Sequence, residues 1–147
     1  MLSDMAETTE VSTATELRHA LMRLSRRLRQ EGSAEGGITA TQLATLVTVE
    51  ASGPMTLGEL AEAERVKPPS ITRVVVSLEG DGLVTRSADP SDGRVSLIAI
   101  TRAGRTLLAQ QRRRRDAWLE DHLAELTPEE RAAVMAVAPI FERLARS

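Results

Sequence analysis

The chain has 147 residues, 41% hydrophobic and 27% charged, with a formal net charge of −2; that is enough for one folded domain and too apolar for disorder. With no cysteine and only two histidines, His19 and His122, it excludes a disulfide framework, a thiolate metal site and a thiol redox sensor, and leaves no metal or cofactor to expect. One tryptophan (Trp118), one phenylalanine (Phe141) and no tyrosine remove the stacking platforms that single-stranded nucleic acid needs.

Met1 to Thr9 is polar and acidic and lacks the cationic and apolar regions of a secretory signal, and residues 1–12 read as a flexible N-terminus. No apolar run approaches the ~20 residues that span a bilayer, so no membrane partner is expected and the expected location is the cytoplasm. Thr13 with Glu16 marks a first helix to about Gln30, carrying Leu17, Leu21, Leu24 and Leu28 as a narrow heptad-like seam. Gly32 to Gly37 reads as a linker. Thr39 with Gln42 is a capping box, with Ile38 and Leu43 as its hydrophobic staple, and opens a second helix that stops at Ser52-Gly53-Pro54. Thr56 with Glu59 repeats the box, stapled by Met55 and Leu60, before a short third helix to Glu64.

A fourth helix is expected over Pro68–Gly80, with Ile71, Val74, Val75 and Leu78 on its inner face. Leu83–Ser87 and Val95–Ile100 are strand-like runs around the turn Asp89-Pro90-Ser91-Asp92-Gly93, which makes a hairpin. Thr101 caps a long fifth helix to about His122; its middle, Gln110 to Arg115, is polar on every face and reads as a solvent-exposed bridge. Thr127, Pro128 and Glu130 start a sixth helix to about Ala145, seamed by Ala133, Val137, Ile140 and Leu144, with Pro139 inside it.

The fold class expected from this order is mainly α with a small β-hairpin wing: a winged helix-turn-helix over residues 38–101. Residues 13–37 and 102–147 form a helical dimerisation region built from both termini. Seams such as these pack either within the chain or against a second copy. The first and last helices are too few for a second core, which favours a homodimer through Leu17, Leu21, Leu24, Trp118, Val137, Ile140 and Leu144.

Charge is unevenly placed. Residues 65–115 carry eleven basic and four acidic side chains, a net of +7, whereas the rest of the chain is −9. A basic block between acidic ends is an electrostatic footprint for a polyanion. In a helix-turn-helix the fourth helix is the recognition helix. Its outer face holds Pro69, Ser70, Thr72, Arg73, Val76 and Ser77, and its N-terminus brings a partial positive charge and free N–H groups. At the hairpin tip Asp92 can hold the Arg94 guanidinium in a two-bond fork, aimed at a narrow minor groove. The residues expected at double-stranded DNA are Thr56, Lys67, Pro69, Ser70, Thr72, Arg73, Ser77, Arg86, Asp92 and Arg94.

Residues Asp92-Gly-Arg94, then Ile100-Thr101-Arg-Ala-Gly104, resemble the wing signature of the multiple-antibiotic-resistance regulator (MarR) family, Asp-x-Arg followed by Leu-Thr-x-x-Gly. Ser70 to Arg73, Leu78 and Gly82-Leu83-Val84 are similar to that family's recognition-helix stretch. The resemblance spans about Thr13 to Leu144. It implies a homodimeric regulator, usually a repressor, on pseudo-palindromic operators. Groove contacts are then at Ser70, Thr72 and Arg73, and Arg94, supported by Asp92, enters the minor groove. It also implies release by a small aromatic or anionic ligand, although the cleft that holds such ligands would here have almost no aromatic lining. Thr72 and Arg86 are the anion-holding candidates near the recognition helix, with Arg86 better suited to a phosphate contact or a structural ion pair. Val76 and Ser77 stand where family members often carry charge. The alternative function is a dimeric winged-helix adaptor that binds protein. An enzyme finds no support, because no nucleophile elbow, phosphate loop or metal-ligand cluster is present.

Overall fold

The computed structural model describes residues 2–33 and 37–147, and the middle of the expected linker, 34–36, lies outside the described residues. The described elements are α1 (Leu2–Ser33), α2 (Ala40–Ser52), β1 (Met55–Thr56), α3 (Leu57–Glu64), α4 (Pro68–Gly80), β2 (Val84–Ala88), β3 (Ser96–Ile100), α5 (Arg102–Ala124) and α6 (Pro128–Ala145).

Helix starts follow from four-residue chemistry. In α2 the Gln42 amide N–H donates to Thr39 Oγ1 at 3.2 Å, and the Thr39 N–H donates back to Gln42 Oε1 at 2.8 Å. Thr56 with Glu59 and Thr127 with Glu130 close the same reciprocal box on α3 and α6. Each satisfies two backbone donors that a helix start would otherwise leave unpaired. Thr101 caps α5 by accepting from the Gly104 N–H at 3.1 Å, and its hydroxyl donates to the Gly82 carbonyl at 2.6 Å. That second bond ties the start of α5 to the end of the recognition helix. At the other end of the chain, where a flexible arm over 1–12 and a start at Thr13 were expected, α1 already begins at Leu2. No proline or glycine interrupts the sequence from Leu2 to Glu31, so Thr13 lies inside the helix.

α3 ends in the turn of the helix-turn-helix. Arg65 adopts φ 53°, ψ 42°, and the Val66 N–H donates to the Ala61 carbonyl at 3.0 Å. This is a left-handed cap that glycine adopts without steric cost. Arg65→Gly is therefore expected to raise lobe stability by about 1 kcal/mol, and Arg65→Val to lower it, in urea denaturation followed by circular dichroism.

β2 and β3 pair antiparallel, Val84 opposite Ile100 and Ala88 opposite Ser96. Two residues of β1 add a third strand, Met55 opposite Ile98, to give the order β1-β3-β2. The hairpin was expected; this third strand was not. Met55 is more than a staple, because it also closes the inner edge of the wing.

Every described apolar side chain that is buried lies between Leu46 and Leu108. Leu46 and Val49 of α2, Leu60 of α3, Ile71, Val75 and Leu78 of α4, and Ile98 of β3 meet in one core, with Val74 half-buried at its margin. This core also takes in Leu108, about two turns into α5 and past the expected boundary at 101. α1 packs along α5, but Leu17, Leu21 and Leu24 stay exposed, and α6 has no buried residue, with Ile140 and Leu144 open. Trp118 packs within the chain: the Arg27 guanidinium lies 5.6 Å above its ring, and His122 stacks at 4.0 Å.

The middle of α5 departs from expectation. Gln111 is 1% exposed and Arg115 is half-buried, so the segment 110–115 is a packed crossing and not a bridge bathed on all sides.

Candidate nucleic-acid interface

The recognition helix begins without a side-chain cap. Lys67 sits at its N-cap, and Pro68 and Pro69 occupy its first two positions. Proline has no N–H, and the next one, on Ser70, donates to the Lys67 carbonyl at 3.0 Å. The first three positions of the helix therefore offer none of the expected free N–H groups. Anion attraction at this end rests on the helix dipole and on side chains.

Those side chains differ in readiness. Lys67, Pro69, Ser70 and Arg73 are exposed on the outer face of α4. The Thr72 hydroxyl donates to the Pro68 carbonyl at 2.9 Å, which leaves its oxygen free only to accept. The Ser77 hydroxyl accepts from Gln42 Nε2 at 2.8 Å. The Thr56 hydroxyl is engaged in its capping box, accepting from the Glu59 N–H at 3.1 Å. Lys67, Ser70 and Arg73 are thus the polar side chains here that no bond within the lobe engages.

At the wing tip the fork is formed. Arg94 Nε donates to Asp92 Oδ1 at 3.1 Å, Nη2 lies 3.4 Å from Oδ2, and the Arg94 N–H also donates to Oδ1 at 3.1 Å. The Arg94 side chain remains 91% exposed. One carboxylate therefore fixes a guanidinium that stays open to solvent. Asp89 holds the other side of the turn, accepting from the Ser91 hydroxyl at 2.6 Å and the Ser91 N–H at 2.8 Å.

The Arg94 side chain, then its backbone N–H, holds the Asp92 carboxyl below its ordinary value of 3.8; Ser91 does the same for Asp89. A depressed carboxylate keeps its bonds above the ordinary value and loses them as pH falls through the folded one. The fork is therefore intact at neutral pH. Carboxyl titration by NMR should give midpoints below 3.8 for both residues. Arg94→Ala should bring Asp92 back up and leave Asp89 where it is.

Arg86 lies on β2, half-buried, with Nε 3.3 Å from Glu79 Oε2 at the C-terminal end of α4. No hydrogen bond satisfies that Nε, so this is a contact of opposite charges between the wing and the end of α4. Neither Arg86 nor Thr72 lines the cavity of about 240 Å³ that opens between α1, α2 and α5. That cavity is bounded by Arg29, Arg115 and the α2 residues Ala40, Leu43, Ala44 and Val47.

Three links from α2 were missed by sequence reasoning: Gln42 to Ser77 of α4, Thr48 to Glu64 of α3, and Glu50 to Arg112 of α5. They join residues 35, 16 and 62 positions apart, and no local pattern announces them.

A family model described as MarR family matches residues 38–96, the helix-turn-helix and most of the wing. An HTH-type transcriptional regulator of Mycobacterium tuberculosis (strain CDC 1551 / Oshkosh) is 41% identical over 128 residues, 87% of this chain and 89% of that protein. The HTH-type transcriptional repressor MdtR of Bacillus subtilis (strain 168) is 29% identical, covering 80% of this chain and 74% of its own length. A crystal structure of a Pseudomonas aeruginosa protein classed as a transcriptional regulator superposes with a TM-score of 0.84 at 33% identity, over 95% of this chain and 97% of that one.

Proposed function

The chain belongs to the MarR family and is a DNA-binding transcriptional regulator, not an enzyme; from that premise we propose that it is a homodimeric repressor of a pseudo-palindromic operator, released by a small anionic or aromatic ligand. A cytoplasmic location belongs to this reading and is supported by the DNA-binding role. The observation that carries this reading is the pairing, on one lobe, of exposed Arg73 on α4 with a forked, exposed Arg94 at the wing tip. In the complex, Ser70, Thr72 and Arg73 meet the major groove, Lys67 and Pro69 its flanking backbone, and Arg94 the minor groove.

Dimerisation is supported by the apolar side chains that α1 and α6 leave open, Leu17, Leu21, Leu24, Ile140 and Leu144. A second copy buries them, and its two-fold axis spaces two recognition helices about one helical turn (~34 Å) apart. Repression is the sign that the family resemblance implies, and MdtR carries that description. Ligand release is supported by the α1–α2–α5 cavity, whose lining includes the cations Arg29 and Arg115 and so suits an anion better than a neutral molecule.

DNA selected from genomic fragments, then titrated in gel shifts across a salt series, tests the reading. Recovered sites should be two-fold symmetric, and log K should fall with log salt at about −0.9 per phosphate contacted. Salt-insensitive binding, or none to any duplex, overturns it. A monomer in sedimentation equilibrium overturns the dimer.

A further inference from the structure

α5 belongs to two bodies. Its first turns are sunk in the lobe, with Gly104 and Leu108 buried, and its later turns lie along α1 through Trp118. Between them, Gln111 to Arg115 cross from one body to the other. This crossing is polar and imperfectly matched. Gln111 is 1% exposed with no partner for its Nε2, and the half-buried Arg115 has none for its Nε. Arg115 is packed against Gly32 of α1, where an added Cβ would lie 3.0 Å from its Nη2. Apolar side chains that interlock would fix the direction of α5; these do not.

Within α5 the Arg115 Nη2 donates to Gln111 Oε1 at a long 3.4 Å, and a directed contact to α2 also stands at this point. Arg112 Nη2 donates to Glu50 Oε2, and that contact raises the already high affinity of Arg112 for its proton. Glu50 sits near the end of α2, and α2 is anchored in the lobe: Leu46 and Val49 are in the core, Thr48 bonds Glu64 of α3, and Gln42 bonds Ser77 of α4. The ion pair therefore joins a helix fixed to the recognition unit with the helix that leads to the dimer body.

We infer that the Glu50–Arg112 pair is a brace that sets the angle at which α5 leaves the lobe, and so the half-site spacing that the dimer accepts. The inference rests on the dimeric operator reading above. A small change in exit angle is doubled by the two-fold axis. Neither residue touches DNA; both act by positioning.

The test is a set of duplexes: two half-sites at the selected spacing, the same half-sites one base pair closer or farther, and a single half-site. Wild type should prefer the selected spacing. Glu50→Lys should cut that preference by roughly three- to tenfold, the scale of losing one partly exposed ion pair in each protomer. Binding to the single half-site should not change. The exchange Glu50→Lys with Arg112→Glu should restore the preference, and Glu50→Gln should weaken it less than Glu50→Lys.

An unchanged spacing preference in Glu50→Lys overturns the brace. So does an equal loss on every duplex including the single half-site, which marks a general stability role, and so does failure of the exchange to restore. Wild type that binds no two-half-site duplex removes the operator reading itself, a distinct failure.

Discussion

Gly104→Ala is expected to destabilise the lobe sharply, against the direction that helix propensity dictates. Alanine is favoured over glycine inside a helix by about 1 kcal/mol. At this position, however, a Cβ would run into the Leu83 carbonyl oxygen and lie 2.7 Å from Ile100 Cγ1. Neither neighbour can yield. The Leu83 carbonyl already accepts from the Thr101 N–H at 3.0 Å, and Ile100 is a buried β3 residue paired with Val84. Overpacking of this kind costs about 1–3 kcal/mol, more where backbone must move, against a typical total of about 5–15 kcal/mol. The clash outweighs the propensity gain. Gly80→Ala is the internal control, because nothing lies within 4 Å of its added Cβ at the end of α4. It should be neutral or stabilising by up to about 1 kcal/mol. Urea denaturation of the two variants beside wild type separates the effects. A Gly104→Ala variant as stable as wild type would mean that α5 does not lean on the β2–α4 junction as described.

The contrast between these glycines shows where the sequence was legible. Four helix starts could be read because each is decided within four residues: Thr39, Thr56, Thr101 and Thr127 find their partners locally. The Asp92–Arg94 fork was legible for the same reason, its members being two positions apart. β1 was not. Two residues cannot show a period, and Met55 finds its partner Ile98 across the whole helix-turn-helix. Arg86 and Arg112 read only as positive charge until Glu79 and Glu50 are brought beside them by tertiary folding. Gln111 misled through composition: a glutamine among arginines reads as surface, yet it is buried where α5 packs against its neighbouring helices. The missing N–H groups of α4 are different in kind. Pro68 and Pro69 stand in plain view, and proline chemistry alone denies the helix those donors.

That denial shapes the prediction for DNA, since affinity must then come from few side chains. Arg73→Ala is expected to lose about 1–3 kcal/mol per half-site and to relax base preference at one position, if the guanidinium pairs with a base edge. Arg94→Ala should lose a similar amount in a different way. The 91% exposed side chain adds nothing to the fold, so thermal stability should stay level while affinity drops. The loss should fall on the operator flanks, where a narrow minor groove concentrates negative potential. Arg94→Lys keeps the charge but cannot form the two-bond fork with Asp92, and Asp92→Asn keeps the guanidinium but loosens its aim. Both should bind between wild type and Arg94→Ala. That ordering separates orientation from charge. If Arg94→Lys binds as well as wild type, the wing supplies only a cation, and the Asp92 fork is ornament. If Asp92→Asn falls as far as Arg94→Ala, aim carries the whole of the wing's contribution.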